Sequence, residues 1–253
     1  MSMDIGSPEG HRKRLREKYL QLGDEAFMDY EILELLLSYS IARRDVKPMA
    51  KKLFAKFKSL NKIVDAKIPE LTACEGIGEN SALLIKLIRA VAFRYLRAGI
   101  NESNYLDSST KFCDYARMQI GGAAQELFMA FFMDINCKLI ETKVLSEGLV
   151  DCVPLIPALV AKHALNCAAK MVVVCHNHPG GSLVPSSADR SLTLDLRDVL
   201  FPLSIHLLDH LIVTEEGFFS FRHADEQKPV GLRLLHKDPP SLAEKMKRKE
   251  KNI

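Results

Sequence analysis

Residues 175 to 190 read CHNHPGGSLVPSSADR, and most of the chain's recognisable chemistry lies there. His176 and His178 stand two apart at the end of a β-branched run, Val172 to Val174. On a strand, side chains i and i+2 leave the same face, so the two imidazoles sit about 7 Å apart by strand rise and can reach one metal ion. Pro179-Gly180-Gly181 ends the strand, and Pro185-Ser186 opens a helix with Asp189 in its first turn. A carboxylate there can fold back on the histidines. Two His and one Asp leave the fourth position of a tetrahedral Zn2+ to water, which is the coordination of a catalytic site rather than a structural one, and such water is a nucleophile near neutral pH. The same residues also have a structural reading. Ser186-Ser187-Ala188-Asp189 fits the S-x-x-D capping box, and two histidines at a strand end can be ordinary surface groups. The joint spacing of H-x-H, seven residues, then S-x-x-D favours the metal site.

The elements that must position these residues are legible around them. Residues 126–134 (ELFMAFFMD) read as a buried strand, 135–138 as a turn, and 139–145 as the returning strand. Residues 155–169, rich in Ala and Leu, read as a helix, 170–178 as the histidine-bearing strand and 187–200 as the helix carrying Asp189. Residues 205–214 and 218–221 form a last strand pair about Glu215-Glu216-Gly217. Helices mixed with hairpin strands make an α+β unit over residues 105–227. Within it, Asp209-His210 reads as structural, as do the isolated histidines elsewhere.

The first hundred residues show no strand-like alternation. Apolar spacing predicts helices over 30–39, with Asp29 as N-cap, over 47–57, with Pro48 near the start, and over 81–96. This is a small all-α domain of residues 1–104, joined to the next by the polar stretch 99–110 (GINESNYLDSST). Gly76-Ile77-Gly78, with Ala82 and Ile85, fits the helix-hairpin-helix pattern G-x-G-x-x-x-A-x-x-I. Such a turn aims backbone N–H groups at a phosphate, so Gly76 and Gly78 are candidate nucleic-acid contacts, with Lys58, Lys62, Lys67, Lys86 and Arg89 nearby for the DNA backbone. Glu75 and Glu79 flank the turn and oppose that reading, leaving a packing hairpin or a protein-binding surface as the alternative.

Composition bounds the rest. At 253 residues with 47% hydrophobic and 26% charged side chains, the chain can build its core without disulfides. No apolar run has membrane-spanning length, and MSMDIGSPEGHRKR carries no signal-peptide core. Six scattered cysteines without a CxxC fit a cytoplasmic protein with reduced thiols. The net charge of +3 divides into +4 over residues 1–104, −6 over 105–227 and +5 over a basic tail, 228–253, which offers a further nucleic-acid contact or simply solubility.

HNHPGGSLVPSSAD resembles the JAMM signature of MPN-domain metalloproteases. Together with LLDHLIV, FFSF and the N-terminal strings GHRKRLREKYL, DYEILELLL, RRDVKPMAKKL and EGIGENSA, it resembles the RadC family over roughly residues 9–224. The resemblance implies an MPN/JAB1, cytidine-deaminase-like mixed sheet with flanking helices, behind the small helical domain. It also implies an acid on an early strand that activates the metal-bound water. Glu126, Glu141 and Glu147 are the candidates, and Glu126, opening the first strand, stands where the family's acid sits. Ser186 would hydrogen-bond the oxyanion in the family's mechanism. Gly180 departs from the family, where Ser usually follows HNHP, and so bears on the substrate groove. The resulting expectation is a zinc-dependent amide or isopeptide hydrolase acting on an unidentified protein or peptide. The alternatives are a DNA-binding repair or recombination accessory protein whose metal site cleaves nothing, and a metal-dependent DNA nuclease.

Overall fold

The computed structural model describes residues 8–42, 44–148, 155–226 and 235. The basic tail expected over 228–253 lies outside the described residues except for Leu235, and Cys152 lies outside them too. The chain folds as two compact units, Met1–Arg94 and Tyr95–Ile253.

The first unit is helical throughout its described residues, as expected. Its elements are α1 (Pro8–Leu22), α2 (Asp29–Ser40), α3 (Lys47–Phe57), α4 (Leu60–Asp65), α5 (Ile68–Thr72) and the start of α6 (Glu79–Asn101). Leu33, Leu37, Ala50, Leu53, Ile63, Leu71 and Ile85 form its core. Asp29 is not the N-cap of α2. Met28 holds that position, and its N–H is taken by the Glu31 carboxylate at 3.0 Å, so the acid three residues into the helix supplies the cap.

The second unit is α+β. After α6 come α7 (Tyr105–Ala116), a π-helical turn (Arg117–Gly121), β1 (Leu127–Met133), β2 (Leu139–Glu147), α8 (Ile156–Asn166), β3 (Met171–Asn177), α9 (Ser187–Leu200), β4 (His206–Val213), β5 (Phe218–Ser220) and α10 (Phe221–Glu226). The polar stretch 99–110 is therefore mostly helix. Its polar groups close helix ends: Ser103 Oγ donates to the Gly99 carbonyl at 2.6 Å, and Asn104 Oδ1 accepts the Leu106 N–H at 2.8 Å.

The five strands lie in the order β2-β1-β3-β4-β5, antiparallel except for the β3–β4 pair. Phe128, Ala130, Phe132, Val172 and Val174 pack in one core with Val160 of α8 and Leu192 and Leu196 of α9, and Leu235 packs against it. Phe131, on the other face of β1, meets Phe112 and Tyr115 of α7 edge-on. The central strands are thus covered on both faces, which is why β1 and β3 read as unbroken apolar runs rather than alternating ones. Among the described residues, no helix is long and apolar enough to cross a membrane.

Candidate metal centre

β3 carries His176 to the edge of the core, between Phe128 of β1 and Ile212 of β4. His176 is 2% exposed. His178 lies one residue past the strand, where its N–H still donates to the Val213 carbonyl at 3.1 Å. The turn that follows closes with the Gly181 N–H on the His178 carbonyl. Both rings leave the same face, with centroids 4.8 Å apart and Nε2 atoms 2.9 Å apart. The strand periodicity read from the sequence is realised.

Asp189 comes from the facing helix. Ser186 caps α9, its Oγ accepting the Asp189 N–H at 3.1 Å. Asp189 Oδ2 in turn accepts the Ser186 N–H and hydroxyl, both at 2.7 Å. The capping box occupies Oδ2 and leaves Oδ1 aimed at His176 Nε2, 3.0 Å away, with Oδ2 3.5 Å from His178 Nε2. The capping and metal readings of S-x-x-D are therefore compatible, because each uses a different oxygen first. Burial opposes the charge on Asp189, and the hydrogen bonds from the Ser186 hydroxyl and N–H favour it.

The three ligand atoms lie within 4.8 Å of one another. His178 Nδ1 sits 2.7 Å from the Ser182 carbonyl, which can only accept. The neutral ring therefore carries its hydrogen on Nδ1 and turns a lone pair inward on Nε2. An imidazole lone pair facing a second imidazole nitrogen and a carboxylate is a donor set that suits Zn2+. His176, His178 and Asp189 could together hold such an ion.

A cavity of about 370 Å³ opens over these atoms, lined among others by Glu126, Ser186, Gly180 and Leu192. Glu126 is half-buried just ahead of β1. Neither Glu141 nor Glu147 lines the cavity; both are exposed on β2. Gly76 and Gly78 belong to the helical unit, in the turn between α5 and α6. Gly76 has φ +88°, and the Gly78 carbonyl accepts the Ser81 and Ala82 N–H groups to start α6. Two of the bases expected to serve phosphates have internal partners. Lys86 Nζ donates to the carbonyls of Val64, Asp65 and Ala66, and Arg89 pairs with Asp65.

Three supporting residues had no clear signal in the sequence. Asn177, fully buried between the histidines, points to the opposite face. There Oδ1 accepts the Leu127 N–H at 2.7 Å, and Nδ2 donates to the carbonyls of Ala123 and Gln125 at 3.2 and 3.1 Å. His210, read from sequence as structural, is fully buried with Nε2 2.9 Å from His176 Nδ1, and Thr193 Oγ1 lies 2.7 Å from its Nδ1. Burial pushes the His210 pKa well below its ordinary value. Asp209 accepts four hydrogen bonds, from the Tyr105 and Ser220 hydroxyls and the His210 and Arg222 N–H groups. Burial nevertheless leaves its carboxyl raised.

The RadC-like JAB domain family matches residues 106–227, and the UPF0758 N-terminal family matches residues 10–83. A UPF0758 protein of Fusobacterium nucleatum is 34% identical over 220 residues, covering 84% of this chain and 95% of the relative. A UPF0758 protein of Ruegeria pomeroyi is 37% identical over 212 residues, with the same shares covered. With a five-stranded JAB-type sheet carrying a His-His-Asp cluster behind a helical N-terminal unit, this chain belongs to the RadC-like JAB domain, or UPF0758, family.

Proposed function

We propose that this chain is a zinc-dependent hydrolase of amide or isopeptide bonds. The observation that carries the reading is the convergence of His176, His178 and Asp189 on one point beneath a cavity that Glu126 and Ser186 also line. When bound, Zn2+ supplies Lewis acidity and makes water a usable nucleophile near pH 7. Glu126 takes the proton of the attacking water and returns it to the leaving amine as the C–N bond breaks. Ser186 turns its hydroxyl hydrogen from Asp189 to the carbonyl oxygen as charge develops there. Asp189 Oδ2 keeps the Ser186 backbone N–H throughout, so this turn does not undo the cap. Leu192, a buried residue of α9, gives the cavity an apolar wall.

The test compares metal content and turnover of the full-length wild type with His176→Ala, Asp189→Ala and Glu126→Gln. Stoichiometric zinc in the wild type and Glu126→Gln, its loss in the other two, and cleavage of a peptide and isopeptide pool by the wild type alone are expected. Unchanged zinc in the ligand variants overturns the site. Cleavage of labelled DNA in place of peptides would replace the reading with a nuclease.

A further inference from the structure

We infer that Thr193 and His210 form a hydrogen-bond relay that fixes His176 in the tautomer whose Nε2 is free to bind metal. This rests on the metal-site reading of His176 and deepens it by assigning two positioning residues. The relay starts at the backbone of Asp189 itself. The Thr193 hydroxyl, one turn along α9, is 2.6 Å from the Asp189 carbonyl. A carbonyl only accepts, and a threonine hydroxyl has one hydrogen, so that hydrogen is committed. The 2.7 Å contact between Thr193 Oγ1 and His210 Nδ1 is then a hydrogen bond only if His210 Nδ1 carries a hydrogen. A second proton on this ring would lie fully buried, and among the described residues neither ring nitrogen is bonded to a carboxylate. His210 Nε2 therefore presents a lone pair, 2.9 Å from His176 Nδ1, and His176 must donate to it. In the neutral ring this leaves Nε2 of His176 without a hydrogen, facing His178 Nε2 and Asp189 Oδ1.

The rings cannot easily turn to escape this assignment. Phe221 stacks on His210 with centroids 5.0 Å apart and planes 13° apart, and Phe128 lies near-parallel to His176 at 6.4 Å. Helix α9 thus acts on both ligands at once. Asp189 offers its carboxylate to the site and its carbonyl to the relay that sets the partner histidine. An outer hydrogen bond that fixes the tautomer and direction of a ligand histidine commonly changes metal affinity by about 10–100-fold.

The experiment uses full-length protein and two readouts. Histidine 15N chemical shifts of the metal-free protein report which ring nitrogen of His176 is protonated, and competition with a chromophoric chelator reports zinc affinity. The wild type and Thr193→Ser should show His176 protonated at Nδ1 and equal affinity. Thr193→Val removes the acceptor for His210 Nδ1–H, so the hydrogen moves to His210 Nε2 and His176 shifts to Nε2–H. Its zinc affinity should fall at least tenfold. A wild type with His176 unprotonated at Nδ1, or a folded Thr193→Val within twofold of wild-type affinity, overturns the relay. If Thr193→Val does not fold, the tautomer in the wild type and Thr193→Ser decides. A wild type that binds no zinc sinks the hydrolase reading, while the metal-free spectrum still decides the relay.

Discussion

The Asn177 side-chain oxygen accepts the backbone N–H of Leu127 at 2.7 Å, which ties the residue between the two histidines to the residue that follows Glu126. The same amide donates to Ala123 and Gln125, so one buried side chain holds the segment entering β1. Asn177→Ala should unpair three backbone groups and destabilise the protein by about 3 kcal/mol. It should keep stoichiometric zinc and lose at least tenfold in turnover, because the ligands stay while Glu126 moves. Urea denaturation, metal analysis and rate together check this; a loss of zinc equal to that of His176→Ala would contradict it.

Ser186 carries two duties that one substitution can separate by size. Ser186→Ala removes the α9 cap, costing about 1 kcal/mol. Loss of its donation to a developing oxyanion costs about 100-fold in rate. A thermal melt shifted by a few degrees with a folded protein at assay temperature, beside a hundredfold loss of turnover, is the expected pair. A rate that falls only as far as the folded fraction does would leave Ser186 with capping alone.

Asp209 has a folded pKa above its unfolded one because burial outweighs its four hydrogen bonds. Between the unfolded value of about 3.9 and the folded value, the native state holds the extra proton. Stability from this residue therefore rises as pH falls through that window and declines as pH rises through the folded value. Asp209→Asn cannot titrate, so the stability of the wild type relative to it should rise as pH is lowered toward the unfolded value in urea titrations. A fall over that range would reverse the assignment.

In the helical unit, Gly76 and Gly78 should respond differently to alanine. At Gly76 the backbone has φ +88°, and an added Cβ would come 2.8 Å from Met49 Cε. The methionine end can move but the backbone cannot, so Gly76→Ala should cost about 1–2 kcal/mol. A Cβ on Gly78 meets nothing within 4 Å, and Gly78→Ala should cost under about 1 kcal/mol as a poorer helix start. Equal losses in chemical denaturation would refute the distinction.

Local features were legible from sequence where the determinants are local. Helices α3 and α9 begin and end where their flanking Pro48 and Ser186 signals and apolar spacing place them. The His176-His178-Asp189 cluster was readable because it needs only a strand period, a turn and a capping box. Thr193, His210 and Asn177 were not readable in their supporting roles. Each acquires its role from β1 and β4 lying on either side of β3, and no short-range pattern encodes that order. Tyr105 failed for a related reason. Within a polar string it reads as linker, yet it is buried because its hydroxyl meets Asp209, 104 positions along the chain. In the sequence, Glu126 stands out from Glu141 and Glu147 through family likeness, and the cavity sets it apart from them by position.

The Tyr105–Asp209 bond also bears on the order in which a growing chain can complete this pocket. A nascent polypeptide halted after α9 already contains both histidines and the aspartate, but has no β4 to back His176 and no anchor for Tyr105. Only when synthesis passes Arg222, whose N–H reaches Asp209 at 2.9 Å, are all four donors to that carboxylate present. Fragments truncated ahead of the last strand pair lack these contacts and should be open to proteolysis at β3.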